Sequence, residues 1–330
     1  MELVTVQQPK TFTSFEDVIE VETLSTSKPF IEANTIESSL PEIKQQHLVP
    51  VFVKDNACTI SIAEFIEATQ EATNNAFKGH KILSPSIRLS HPIKGRIPSA
   101  KNKSVAELLD TDKTLYYERC AFIIGLPDIT STVNGNTLSL TIGGVKSYSL
   151  DNLYSRKGSD EHFKIFIGFQ NKVCTNLCVS SDGFVGNLAV KNLDQLQFAI
   201  ASMIQNYDAR TQLYQLEKLS DLHITETQFA LLMGRCRMYN HLPTTLKSEI
   251  EPMLFGDNQL GAVCKDFYKD NSFCKGDDGN INLWNLYNLF TGSNKSSYID
   301  SFLDRSVNAF QLAQQLASAV EYKTHSWFLT

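Results

Sequence analysis

The sequence predicts an α+β fold, with a central, mainly antiparallel β-sheet followed by a helical C-terminal region. Three observations predict it. Residues 115–179 are rich in β-forming side chains and are punctuated by turn dipeptides, as in consecutive hairpins. From about residue 192 the apolar side chains change to the spacing of helices. Strands thus precede helices instead of alternating with them, which argues against βαβ units. A chain of 330 residues, 42% hydrophobic and 20% charged, has the composition of an ordinary soluble protein. It can bury a substantial core in one large domain or two modest ones. No internal repeat is visible.

Three regions follow. Residues 1–46 hold eight acids and three lysines with many Ser and Thr, and read as an acidic, partly disordered tail with a short helix at 14–19. Residues 47–191 form the α+β region with the sheet. Order is expected to begin at Leu48, with 49–54 (VPVFVK) as a strand. Ser61 and Glu64 have the spacing of a capping box, so a helix runs to about Asn75. Residues 78–103 contain Pro85, Pro92 and Pro98 and cannot be a long helix; 86–90 is short enough for a strand. Ser104 and Glu107 open a second, short helix. A strand at 116–126 leads to Asn134-Gly135, a strong hairpin dipeptide, and a returning strand at 137–142. Gly143-Gly144 reads as a turn into 145–148. Residues 163–169 and 172–179 form another hairpin, and Ser181-Asp182-Gly183 another turn. Residues 192–330 are mainly helical and pack on the sheet. Helices are expected at 194–207, at 229–238 behind a box of Thr225 and Gln228, at 280–290 capped by Asn280, and at 296–322.

Charge is distributed unevenly. Residues 72–106 carry seven Lys/Arg and no Asp or Glu, which leaves 23 basic against 36 acidic residues elsewhere. A basic island in an acidic chain of pI about 5.7 is a candidate anion-binding surface. Prolines hold it extended, Gly95 admits a close approach, and Lys and Arg suit a phosphodiester backbone. Arg88, Lys94, Arg96, Lys101 and Lys103 are the main candidate contacts, with Tyr116, Tyr117 and Arg119 as stacking surfaces and Lys172 and Lys295 as lesser contacts. Two other readings compete: a loop paired with the chain's own acidic tail, and a protein-binding surface.

No catalytic residue emerges. The sequence lacks G-x-S-x-G, H-E-x-x-H and G-x-G-x-x-G frames, and no cofactor is implied. Seven cysteines are scattered without C-x-x-C spacing, so Cys174 and Cys178 read as packing thiols and no metal site is expected. Residues 292–297 fail the frame of a phosphate-binding loop, leaving Ser296 or Ser297 as a helix cap. Asp300 and Asp304 share one helix face, with Arg305 adjacent, as an ion-pair surface. Leu312, Leu316 and Val320 form an apolar stripe suited to core packing or self-association. With no leader-like N-terminus and no apolar run of roughly 20 residues, the chain is expected to be cytoplasmic, without membrane contact.

Three segments carry a resemblance: 87–98 (IRLSHPIKGRIP), 166–178 (FIGFQNKVCTNLC) and 282–300 (NLWNLYNLFTGSNKSSYID). Together they resemble the bacterial family called domain of unknown function 3871, found largely in Bacteroidetes. More distantly, Val173-Cys174-x-Asn176 and Leu283-Trp284-x-Leu286-Tyr287-Asn288 are similar to the phage and plasmid family called domain of unknown function 932. The resemblance implies a setting of mobile elements and transfers no catalytic residue. The function expected is a non-enzymatic, DNA-associated accessory protein that binds single-stranded or frayed nucleic acid. The alternative is a protein-interaction module, such as an inhibitor of a host defence complex.

Overall fold

A computed structural model describes residues 28–46, 60–153 and 160–330. The elements in chain order are β1 (Ile36–Ser38), α1 (Leu40–Gln46), α2 (Ile62–Ala76), β2 (Ser86–Leu89), β3 (Pro92–Arg96), β4 (Lys113–Tyr117), β5 (Arg119–Val133), β6 (Asn136–Ser147), α3 (Tyr148–Leu153), β7 (Glu161–Asn171), β8 (Leu177–Cys178), β9 (Phe184–Val190), α4 (Leu193–Asn206), α5 (Ala209–Asp221), β10 (His223–Ile224), α6 (Glu226–Tyr239), α7 (Thr244–Lys247), α8 (Asp257–Lys269), β11 (Ile281–Asn282), α9 (Leu283–Asn294) and α10 (Ile299–Tyr322). Single 3₁₀ turns lie between β3 and β4.

The expected α+β architecture is present. The main sheet runs β1-β2-β5-β6-β7-β8, with β9 also on β7, and these pairings are all antiparallel. The β5–β6 turn is Asn134-Gly135, with φ of 45° and 76°, the left-handed pair that matches strand twist. Pro127, which has no amide to donate, falls where the β5–β6 register shifts, between Leu126 and Thr130.

Alternation along the strands gives the sheet two buried faces. Phe122 and Phe163 meet Phe65 of α2 edge-on, at centroid distances of 5.0 and 4.8 Å. Ala121, Ile123, Val145 and Phe166 face the other way, against Ile299, Phe302, Leu303 and Val307 of α10. Helix α9 carries the fully buried Trp284, whose indole donates to Asn136 Oδ1 at 2.8 Å and so pins it to the β5–β6 turn.

Several local expectations are corrected. Gly143-Gly144 is mid-strand in β6, not a turn. A Cβ on Gly143 would lie 2.9 Å from the Phe166 ring, and one on Gly144 would lie 2.5 Å from Phe65. A Cβ would also stand 2.1 Å from Phe122 O at Gly143 and 2.6 Å from Lys164 O at Gly144, so the glycines make room for the neighbouring strands' carbonyls as well as for one ring on each face of the sheet. The Ser104–Glu107 box opens only one 3₁₀ turn. Asn282, not Asn280, caps α9, and α10 begins after Tyr298, so neither Ser296 nor Ser297 caps it. Leu312 and Leu316 are core residues and Val320 packs against them, so the stripe serves packing. Among the described residues no helix is long and apolar enough to cross a membrane.

The tail boundary at 46 also changes. Residues 28–46 are built into the fold: Phe30 and Ile31 are buried beside Phe302, and β1 pairs with β2. Two adjacent apolar residues and a three-residue strand are too short to show a period. The strand expected at 49–54 and the helix expected at 14–19 lie outside the described residues.

Candidate nucleic-acid interface

The basic island folds into three separate places along one strand run. Leu89 faces Cys120, Pro92 faces Tyr117 and Arg96 faces Lys113, so β3 and β4 prolong the β2–β5 pairing in an unbroken register. The interruption at Ser90–His91 is bridged by Ser90 N donating to Arg119 O at 2.9 Å and Arg119 N donating to Ser90 Oγ at 3.1 Å. The β3–β4 ribbon is thus an overhang of the main sheet.

Side chains on a strand point alternately to its two faces. Lys94 and Arg96 therefore share one face of the ribbon with Leu115 and Lys113, and all three cations are exposed. The other face carries Ile93, Gly95, Thr114 and Tyr116, of which Thr114 and Tyr116 are buried. Gly95 is needed inside the ribbon, because a Cβ there would stand 2.6 Å from Thr114 Oγ1. Its close approach is to this hydroxyl and not to a ligand.

Internal bonds fix the loop between β3 and β4. The Arg96 guanidinium donates to Lys103 O. Lys103 Nζ donates to Asp112 Oδ2 at 2.8 Å, and Leu109 N donates to the same oxygen at 2.9 Å. The Lys103 ammonium, and then the Leu109 amide, hold the Asp112 carboxyl below the usual range. Lys113 pairs with Asp110 at 2.7 Å. Lys94 and Lys101 are exposed, with no ion pair among the described residues. Residues 92–117 hold five cations and three acids, so the ribbon stays cationic.

The remaining sequence candidates lie elsewhere. Arg88 is only 13% exposed: Nε and Nη2 donate to Thr35 Oγ1 and O at 3.1 and 3.2 Å, and Nη1 lies 3.6 Å from Glu37. His91 meets Asn34 Oδ1 at 2.7 Å. At these two positions the island pairs with the chain's own N-terminal segment, the competing reading above. Tyr116 and Tyr117 are buried and offer no stacking face. Arg119 is held between Glu118 and Asp300.

Asp300 and Asp304 do form an ion-pair face, but with Arg119 and Lys164 of the sheet. The Arg305 guanidinium instead donates to Leu254 O and Ser297 Oγ. Lys172 is exposed but lies at the far end of β5, with its ammonium donating to Pro127 O at 2.9 Å. Lys295 is buried, donating to Cys174 O and, at 2.8 Å, to Thr175 Oγ1. Burial pushes its ammonium pKa down. Lys295 holds Thr175, whose φ is +60°, in a conformation a β-branched residue rarely adopts. Beside it Asn176 Nδ2 donates to Asn288 O at 3.1 Å. Two of the three segments that carry the family resemblance thus pack on one another as structural parts.

Of the sequence candidates, Lys94, Arg96, Lys101 and Lys103 thus lie on the ribbon and its loop, together with Lys113, which the sequence reading did not single out. Lys113 lies outside the acid-free stretch, among three acids, and only the cross-strand register brings it beside Arg96. Among the described residues there is no group of three or more His, Cys, Asp or Glu side chains that could hold a metal ion.

The family model described as "Domain of unknown function, B. Theta Gene description (DUF3871)" matches residues 12–329. No curated protein and no solved structure matches the chain.

Proposed function

The chain belongs to the family of domain of unknown function 3871, and from that premise we propose that it is a non-enzymatic, DNA-associated accessory protein of a mobile element. It binds single-stranded or frayed nucleic acid on the solvent face of the β3–β4 ribbon. One arrangement supports this reading: Lys94, Arg96 and Lys113 share a single exposed face, with Lys101 on the adjoining loop. A two-stranded ribbon is narrow enough to lie along a groove or a strand. Cations on one face meet successive phosphates, and such contacts set affinity but not base choice. Arg88, Lys103, Tyr117, Arg119 and Lys295 are left out of the site because their side chains are committed within the fold or buried, whereas Arg96 and Lys113 stay exposed beside their partners Lys103 O and Asp110.

The test is a titration of labelled single-stranded and duplex DNA at two salt concentrations. Three or four phosphate contacts give a fall in log K of roughly 2 to 3 per log unit of salt, at about 0.7 per contact on a single strand. Lys94→Glu with Arg96→Glu should weaken binding at least tenfold and reduce the slope by about 1 or more. Unchanged affinity in that variant, or no binding at low salt, removes the reading.

One observation favours a second reading, a protein-interaction module, such as an inhibitor of a host defence complex. Val105 and Leu109, in the loop between β3 and β4, are 79% and 63% exposed. If the loop docks on a protein, Val105→Ser with Leu109→Ser will abolish capture of that partner and leave the DNA titration unchanged.

A further inference from the structure

Pro127 and Asp128, at the register shift in β5, gather a second set of cations from two distant parts of the chain. Asp128 Oδ2 accepts from Lys81 N at 3.1 Å and meets His80 Nδ1 at 3.1 Å. Pro127 O accepts from Lys172 Nζ at 2.9 Å. Lys78, Lys81 and Lys172 are all exposed. Lys81 and Lys172 bring two charges to the one carboxylate of Asp128, and the Lys172 ammonium keeps two further N–H groups for a ligand.

This cluster stands at the opposite end of the strand run from the ribbon. Lys81 meets Asp128, Leu83 N donates to Gly125 O at 2.9 Å, and the pairing continues to Arg96 opposite Lys113. Lys81 and the ribbon cations thus lie along one strand edge, and Lys172, from the end of β7, reaches across β6 to Pro127 O on β5. Between them the edge is covered by β1, which commits Arg88 to Thr35 and Glu37. Thirteen residues separate Lys81 from Lys94. At about 3.3 Å each they span at most about 43 Å. A stacked single strand covers that distance with about a dozen nucleotides, at about 3.4 Å per phosphate.

We infer that the pair of Lys81 and Lys172 is a second phosphate-contacting site, so that one nucleic-acid strand bridges the β5 register shift and the β3–β4 ribbon with a footprint of about a dozen nucleotides. The inference rests on the ribbon reading above and deepens it. It makes binding bipartite: a strand too short to reach both ends gains nothing from the second, and a longer one engages it intramolecularly.

The experiment uses the full chain with fluorescent oligothymidylates of 6 and 15 nucleotides, comparing the native protein with Lys81→Glu/Lys172→Glu and with Lys94→Glu/Arg96→Glu. Thermal unfolding first confirms that the variants are folded. The 15-mer should bind the native protein with a salt slope steeper than that of the 6-mer by about 1 or more, at about 0.7 per added contact. Lys81→Glu/Lys172→Glu should lower the 15-mer to 6-mer affinity ratio at least tenfold. Comparing ratios cancels the larger number of registers on a longer strand. If that ratio is unchanged while binding still depends on Lys94 and Arg96, the footprint is confined to the ribbon and the second site is overturned. If neither oligonucleotide binds, or binding is indifferent to Lys94→Glu/Arg96→Glu, the ribbon reading fails and the bridge falls with it.

Discussion

Lys146 is fully buried, with its ammonium 2.7 Å from Asp151 and 3.0 Å from Glu161 and 4.0 Å above the Phe163 ring. Removing one member of a buried ion network destabilises far more than its presence stabilises, because the remaining charges stay desolvated. Lys146→Met should therefore lower unfolding stability by about 3 kcal/mol in urea titration; a change below about 1 kcal/mol would show that the two carboxylates are well solvated. The thiols give a pH-dependent counterpart. Burial pushes Cys178 up to about 12, with the neighbouring Cys174 adding to the rise, and burial also raises Cys120 and Cys236. A thiol raised above its unfolded value near 9 contributes stability that is fully present below that pH and is lost as pH climbs towards 12. Unfolding midpoints should fall between pH 8.5 and 11, and less steeply in Cys178→Ala. Lys295 illustrates why such positions resist sequence reading. Its neighbours are Gly, Ser and Asn, the composition of an exposed loop. The carbonyl and hydroxyl that bury it belong to Cys174 and Thr175, more than a hundred residues upstream.

Elements defined by local spacing were legible. The Ser61/Glu64 and Thr225/Gln228 boxes start α2 and α6 where their side chains can reach the free amides of the first turn. Asn134-Gly135 closes its hairpin for an equally local reason. Elements defined by tertiary packing were not. Gly143-Gly144 has the composition of a turn, yet occupies a central strand because Phe166 and Phe65 fill the space above and below it. Gly144→Ala should destabilise the fold by about 1 to 3 kcal/mol through overpacking against Phe65. Pairing it with Phe65→Leu should recover part of that loss, measured as a double-mutant cycle in urea. The start of α5 was missed although Asp208, which accepts from the amides of Arg210 and Thr211, is an ordinary cap. The α1 and β1 segments are too short to carry a period of their own. The candidate site was half legible for the same reason. The cations Lys94 and Arg96 are neighbours in sequence, but the sheet edge that separates them from Lys81 and joins them to Lys113 exists only in the register.

Over the whole molecule, the N-terminal segment ties distant parts together. Pro29 O accepts from Thr175, Glu32 N donates to Lys295 O at 2.8 Å, Phe30 packs on Phe302, and β1 closes the outer edge of β2. A deletion meant to test an acidic tail must therefore stop before Phe30. Removal of residues 1–27 keeps these contacts, whereas removal of 1–38 strips two buried side chains and a strand. The longer deletion should lower the thermal midpoint by about 6 to 12 °C, for a loss of about 3 kcal/mol at roughly 2–4 °C per kcal/mol. Equal midpoints for the two deletions would show that the segment is dispensable. The same tie has a consequence in time. During synthesis residues 30–38 leave the ribosome early, but Lys295 and Phe302 follow more than 250 residues later, roughly 13 to 50 s at 5–20 residues per second. Until then β1 has β2 to pair with, but Phe30 and Ile31 lack the α10 face that buries them, so a nascent chain stalled before α10 offers a partner an apolar surface that the finished protein hides.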